Sequence, residues 1–228
     1  MGRDGQPKHR REARDLRRRA ASRQAFKRLL IVCEGEKTEP QYLNEIRAEL
    51  RLSTANVHVR HGGFGTDPMD LVEYAEHLFR KGDRNAGIEA GAFDHIYVVF
   101  DRDEHDTYYP ALSKAAALDG KLLNDERHAV PFEAIASVPC FEVWLLLHFE
   151  DVQAPIHRNE VTARLQAHLP GYKKGGGGHW GATKERRETA AMHAAARASS
   201  TTAHDGEATY TDMHRLVDVL MHLRTPRG

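Results

Sequence analysis

The sequence predicts an α/β fold: a four-stranded, mainly parallel sheet flanked by helices, with a helical C-terminal part appended to it. Two observations predict it. Up to Val138, short apolar runs rich in β-branched residues alternate with segments of helical periodicity. After Val138 the pattern is helical throughout, broken only by loops. The length, 228 residues, suits one sizeable domain or one domain with a small addition.

The elements follow in order. "RLLIVC" (28–33) is short, apolar and continuous, which marks a strand buried on both faces. Thr38 to Leu52 reads as a helix: Thr38 is placed to cap it, Pro40 suits its first turn, and Tyr42, Leu43, Ile46 and Leu50 recur at helical spacing. "ANVHVR" (55–60) alternates like a strand, and "HGGFGTDP" (61–68) is a turn whose Asp67-Pro68 opens a helix reaching about Arg80. "DHIYVVF" (94–100) is the clearest strand. Residues 107–119 form a helix and "AVPFEAIASV" (129–138) a fourth strand. Helices are then expected from near Pro139, over 157–169, over 181–199 and over 209–223, where Leu216, Val219, Leu220 and Leu223 share a face.

The division expected is an arm at 1–28, an α/β core at 29–150 and a helical extension at 151–228. The arm holds 11 Lys/Arg against 3 Asp/Glu, while the whole chain is formally neutral. It offers little apolar face, so it is expected to be disordered and to meet nucleic acid, or else to balance an acidic body. No apolar run approaches membrane-spanning length and no secretory h-region follows the basic start, so a cytoplasmic protein is expected, with no membrane partner. Cys33 and Cys140 form no zinc pattern and read as buried, reduced thiols.

Carboxylates gather where strands end. Glu34 follows the first strand; Asp101 and Asp103 follow the third. In a parallel sheet of this order the two strands can be neighbours, and ligands bind beyond the carboxyl ends. Two such charges at 4 Å repel by about 4 kcal/mol at an effective dielectric of 20. A hard divalent cation relieves this, and Mg²⁺, with Mn²⁺ able to replace it, takes oxygen ligands while keeping waters for a substrate phosphate. Asp-X-Asp suits such an ion because alternate strand residues share a side. The alternative for either cluster alone is a cap or a solvated strand end.

An apolar strand ending in Glu-Gly, followed by one ending in Asp-X-Asp, resembles the TOPRIM fold. More narrowly, "IVCEGEKTEPQYL", "GTDPMDLVEYA", "VVFDRDEHD" and "PCFEVWLLLHF" resemble the RloB family, from about residue 27 to about residue 222. The resemblance implies a TOPRIM-like, metal-dependent nuclease of prokaryotic phage defence, linked to restriction loci or paired with an ATPase. It implies that Glu34 is the catalytic glutamate and that Asp101 and Asp103 bind metal. TOPRIM sequences often carry further acids near the first motif. Glu36 and Glu39 are candidates, with Glu36 the further metal ligand and Glu39 chiefly an offset to the helix dipole.

Glu142, set among apolar residues, needs a partner, and a place in the site would supply one; the alternative is a helix-start carboxylate held by backbone amides. Trp144 reads as core, and His148 as core or surface. Lys37 follows the first acidic cluster. "GYKKGGGGHW" combines Lys173, Lys174, four glycines, His179 and Trp180 in a loop expected to be mobile, with Lys184, Arg186 and Arg187 just beyond. Those cations suit phosphodiester binding, His179 acid–base work and Trp180 stacking on a base; the alternative is a surface loop without a role.

Two functions follow as expectations. One is cleavage of a phosphodiester in nucleic acid, either RNA such as tRNA or DNA, with RNA favoured only by analogy with other defence effectors of the TOPRIM type. The other is a sensor or assembly subunit that binds Mg²⁺ and a nucleotide without cutting. No P-loop is present, so ATPase activity would come from a partner chain, and a homo-oligomer is equally compatible.

Overall fold

The computed structural model describes residues 27–53, 57–61, 63, 65, 67–103 and 105–223. Apart from Lys27 and Arg28, the basic arm lies outside the described residues. Strand β1 is Leu29–Cys33, helix α1 Thr38–Glu49, β2 Val57–His61, α2 Pro68–Lys81, β3 His95–Asp101 and α3 Tyr108–Leu118. A small hairpin, β4 Leu122–Leu123 and β5 Ala129–Val130, leads into β6 Phe132–Val138. Helices α4 Glu142–Leu146, α5 Arg158–His168, α6 His179–Thr183 and α7 Arg187–Ala198 follow, then β7 Tyr210–Thr211 and α8 Met213–His222.

The main sheet has the order β2-β1-β3-β6-β7. β2, β1, β3 and β6 run parallel, and β7 is antiparallel to β6. The expected mainly parallel α/β sheet is therefore present, with β1 and β3 adjacent and five strands rather than four. Alternation sorts β1 between two cores. Leu29, Ile31 and Cys33 join α1 and the C-terminal helices on one face. Leu30 and Val32 join α2 and α3 on the other. Both faces are covered, which is why β1 and β3 read as unbroken apolar runs.

Several details differ from the sequence reading. The fourth strand is interrupted at Pro131, which has no N–H to continue a ladder, so Ala129–Val130 pairs with β4 instead. The run from Pro139 forms only the five-residue α4, which is buried throughout, with Trp144 Nε1 donating to Tyr42 Oη at 2.9 Å. The stretch 179–199 is two helices joined by a 3₁₀ turn at Lys184–Arg186. Tyr210 and Thr211 are strand, not helix, and α8 buries Met213, Leu216, Val217 and Leu220. Val219 and Leu223 pack only at its margin. Cys33 and Cys140 are buried free thiols, as expected.

Arg28 fixes the start of β1. Its guanidinium reaches Asp94 and Asp125, each at 2.7 Å, and its backbone N–H donates to Asp94 at 2.8 Å. The N-terminal end of the sheet is thereby tied off, and the carboxyl end is left for chemistry.

Candidate metal centre

The carboxyl ends of β1 and β3 are latched to each other. Glu34 N–H donates to the Val99 carbonyl at 2.9 Å, continuing the ladder one residue past β1. Glu34 Oε2 then accepts from the Asp101 backbone N–H at 2.9 Å. One oxygen of Glu34 is fixed in this way, and the other faces His105 Nε2 at 3.3 Å. His105 Nδ1 in turn meets Asp67 Oδ1 at 2.8 Å, so the residue before α2 also belongs to the site.

Asp103 arrives by a different route from the one expected. Its φ is +33°, in the left-handed region, so strand alternation no longer governs it. The turn aims one carboxylate oxygen at Arg158, 2.7 Å away, and leaves Oδ1 buried with no hydrogen-bond partner among the described residues. Glu34, Asp103 and His105 each offer a donor atom, and these lie within 4.8 Å of one another. Asp101 stands outside that trio, at the end of β3, and is buried.

The surroundings are crowded with carboxyl groups. Glu39 lies in the first turn of α1 but is only 6% exposed. Its carboxylate lies against Gly35: a Cβ at that position would fall 2.0 Å from Glu39 Oε2. Glu142, 2% exposed, accepts from Tyr172 Oη at 2.8 Å. Burial holds Asp101 well above the usual carboxylate range, reinforced by the charges of Glu39, Glu34 and Glu142. Burial, with Glu142 and Glu34 nearby, pushes Glu39 up to about 7. Burial also raises Glu34; the Asp101 N–H and His105 pull it down and Asp103 pushes it up again. Acids that strain to keep their protons, next to an orphaned carboxylate oxygen, fit a divalent cation that would take the protons' place.

A cleft of about 390 Å³ opens over this cluster and is lined by Glu34, Asp101 and Asp103 together with Lys37, Lys174 and Gly175. Burial alone would lower Lys174, but Glu142, Asp101 and Glu39 outweigh it and hold its pKa above the ordinary lysine value. Glu36, expected as a metal ligand, is exposed at the mouth of the same cleft.

The glycine-rich loop is hydrogen-bonded to α1. Gly175 N–H donates to Thr38 Oγ1 at 2.8 Å, and Gly178 and Trp180 N–H donate to the Glu45 carboxylate at 2.5 and 2.9 Å. Thr38 is thus committed to the loop and does not cap α1; Lys37 occupies that position without a side-chain bond. Trp180 is core, not a stacking platform: it is 3% exposed, meets Tyr42 edge-on and donates to Glu49 Oε2 at 3.0 Å. His179 is buried against Tyr172, and its Nε2 has no hydrogen-bond partner among the described residues. Lys173 is exposed, Lys184 pairs with Glu49 at 2.9 Å, Arg186 lies over the Phe149 ring and Arg187 pairs with Glu188. His148 is core, its pKa lowered to about 4 by burial.

His105 and Asp67 escape the sequence reading. His105 sits two residues past Asp103 inside a motif already singled out, and that proximity was the available signal.

A mainly parallel α/β sheet with an acidic and histidine cluster at the carboxyl ends of neighbouring strands defines the class: an open-sheet protein with a candidate metal centre. Within that class the chain belongs to the RloB-like protein family, whose model matches residues 29–220. No curated protein and no solved structure gives a significant match. No helix among the described residues is long and apolar enough to cross a membrane.

Proposed function

We propose that the protein is a nuclease that cleaves phosphodiester bonds in nucleic acid with a divalent cation, Mg²⁺ or Mn²⁺, held by Glu34 and Asp103 with Asp101 and His105 in support. The observation that supports it best is the convergence of Glu34, Asp103 and His105 donor atoms within 4.8 Å at the carboxyl edge of β1 and β3. When bound, such a cation polarises the phosphoryl group and lowers the pKa of a coordinated water. The chain's own part is positioning. The Asp101 N–H fixes Glu34 Oε2, which leaves Oε1 to face the cation or to accept a proton. Arg158 steadies Asp103, and Asp67 steadies His105. Lys37 and Lys174 line the cleft with positive charge, which draws a phosphate toward an otherwise acidic site. Tyr172 holds Glu142, the inner wall of the acidic cluster, by a hydrogen bond.

The substrate is RNA, tRNA being the first to try, or DNA, and the role is defence against phage. Any ATP hydrolysis belongs to a partner chain. The decisive experiment incubates purified protein with end-labelled tRNA, single-stranded DNA and duplex DNA, in Mg²⁺, Mn²⁺ or EDTA. Cleavage that needs the cation and vanishes in Glu34→Gln supports the reading. Binding of nucleic acid without cleavage under every condition would replace it with a non-cleaving sensor or assembly subunit.

A further inference from the structure

Beside the acidic cluster lies a second and larger cavity, of about 830 Å³. The two share a boundary, because Asp103 lines both. This volume falls in the range of small-molecule sites. Most of the lining is charged or polar, with Arg102, His105, His157 and Glu207 beside Asp103, Arg158 and Asn159, and its apolar surface comes from Pro139, Pro155 and Ile156. Pro155 and Ile156 supply apolar surface from the segment between α4 and α5. Arg158 and Asn159 come from the first turn of α5, an 11-residue helix.

The polar groups have capacity to spare. The Arg158 guanidinium has one partner among the described residues, Asp103, and its side chain is 41% exposed. A guanidinium has five N–H donors, so most of its fork is free for a ligand. The Asn159 side-chain amide makes no hydrogen bond among the described residues; only its backbone N–H is engaged, by His157 Nδ1. The positive end of the α5 dipole adds to Arg158 at the same wall. A cation and helix start beside the acidic cluster, next to apolar surface and a free amide, match the parts of a nucleotide: phosphate, base face and base edge.

We propose that this cavity holds one nucleotide unit of the substrate strand, next to the bond to be cut. The phosphate lies at Arg158 and the start of α5, the base lies against Pro155 and Ile156, and Asn159 reads the base edge. The placement beside the reaction rests on the nuclease reading; nucleotide binding itself does not. Because Arg158 also holds Asp103, it links the occupied cavity to the acidic cluster.

The test is calorimetric titration of the full chain, in EDTA, with AMP, GMP, CMP, UMP and inorganic phosphate. At least one nucleotide is expected to bind about tenfold or more tighter than phosphate, a difference of about 1.4 kcal/mol. Asn159→Ala, at an exposed position, is expected to weaken that nucleotide about tenfold while leaving phosphate unchanged. Ile156→Arg should remove nucleotide binding, with thermal melting as the check on folding. Nucleotides no tighter than phosphate, or a nucleotide affinity that Asn159→Ala leaves intact, would overturn the proposal. Cation-dependent cleavage alongside that result would leave the nuclease reading standing; nucleotide binding with no cleavage would do the reverse.

Discussion

Glu34 Oε2 accepts a hydrogen bond from the backbone N–H of Asp101 at 2.9 Å, so the first acidic motif is held by the second. The contact joins residues 67 positions apart and sets the geometry of everything at the carboxyl edge. It also separates two roles of one side chain, since Oε2 is structural while Oε1 faces the site.

That separation predicts different outcomes for two substitutions. Glu34→Gln keeps an oxygen able to accept the Asp101 N–H but removes the charge. It should abolish cleavage and weaken Mn²⁺ binding with little change in stability. Glu34→Ala leaves the Asp101 N–H without its partner and should cost about 1–3 kcal/mol in addition. Urea unfolding and Mn²⁺ titration on both variants check this. Equal stability of the two would show that the latch carries no weight.

Gly35 is required by its neighbour and not by its backbone conformation. A Cβ there would fall 2.0 Å from Glu39 Oε2 and 2.8 Å from Glu39 Cδ, so Gly35→Ala must displace the Glu39 carboxylate. The expected result is a folded protein, destabilised by about 1–3 kcal/mol, with weaker Mn²⁺ binding. Combining it with Glu39→Gln should give less than the sum of the two effects on Mn²⁺ affinity, because both act on one carboxylate. Strict additivity would refute the contact.

The β-α alternation and the two acidic strand ends are legible in the sequence because burial on both faces leaves continuous apolar runs, and charges at their ends stand out. Less is legible where the signal is tertiary. Glu39 looks like any acid in a first helical turn; only the approach of α1 to Gly35 turns it inward. Asp103 reaches the cluster through a left-handed turn that no alternation rule describes. Trp180 looks like a stacking residue because it follows lysines and glycines, yet the loop is tied to Thr38 and Glu45, and that draws the indole onto Tyr42. The two-residue β7 is too short to leave a pattern.

The elevated carboxyls predict a pH dependence of definite sign. Glu39 is pushed from an ordinary value of 4.5 to about 7. A carboxyl raised on folding holds its proton more tightly in the folded state. Its stabilising effect is complete below 4.5 and is lost as pH rises toward 7. In EDTA, Glu39→Gln should therefore gain on the wild type across that window, by about 3 kcal/mol in all. His148, lowered to about 4, acts in the opposite sense on both proteins and cancels in the comparison. Saturating Mg²⁺ or Mn²⁺ should shrink the difference, since the cation offsets the same charge. Urea midpoints at several pH values measure it, and parallel curves for the two proteins in EDTA would contradict the cluster's electrostatics.

The cations near the glycine-rich loop should not contribute alike to nucleic-acid binding. Lys174 lines the cleft beside the carboxylates, where a substrate phosphate would have to pass. Lys184 is engaged with Glu49, 2.9 Å away, so its charge is already answered. Each cation that neutralises a phosphate releases counterions and steepens the dependence of log affinity on log salt by about 0.7–0.9. Lys174→Ala should therefore weaken binding and reduce that slope by about one contact's worth, whereas Lys184→Ala should leave the slope nearly unchanged. Both are measured by fluorescence anisotropy on labelled RNA and DNA over a salt series, with Glu34→Gln as the background so that no substrate is cut. Equal slopes for the two variants would mean that strand contact does not run through the cleft, and the nucleic acid would then have to approach from another face of the protein.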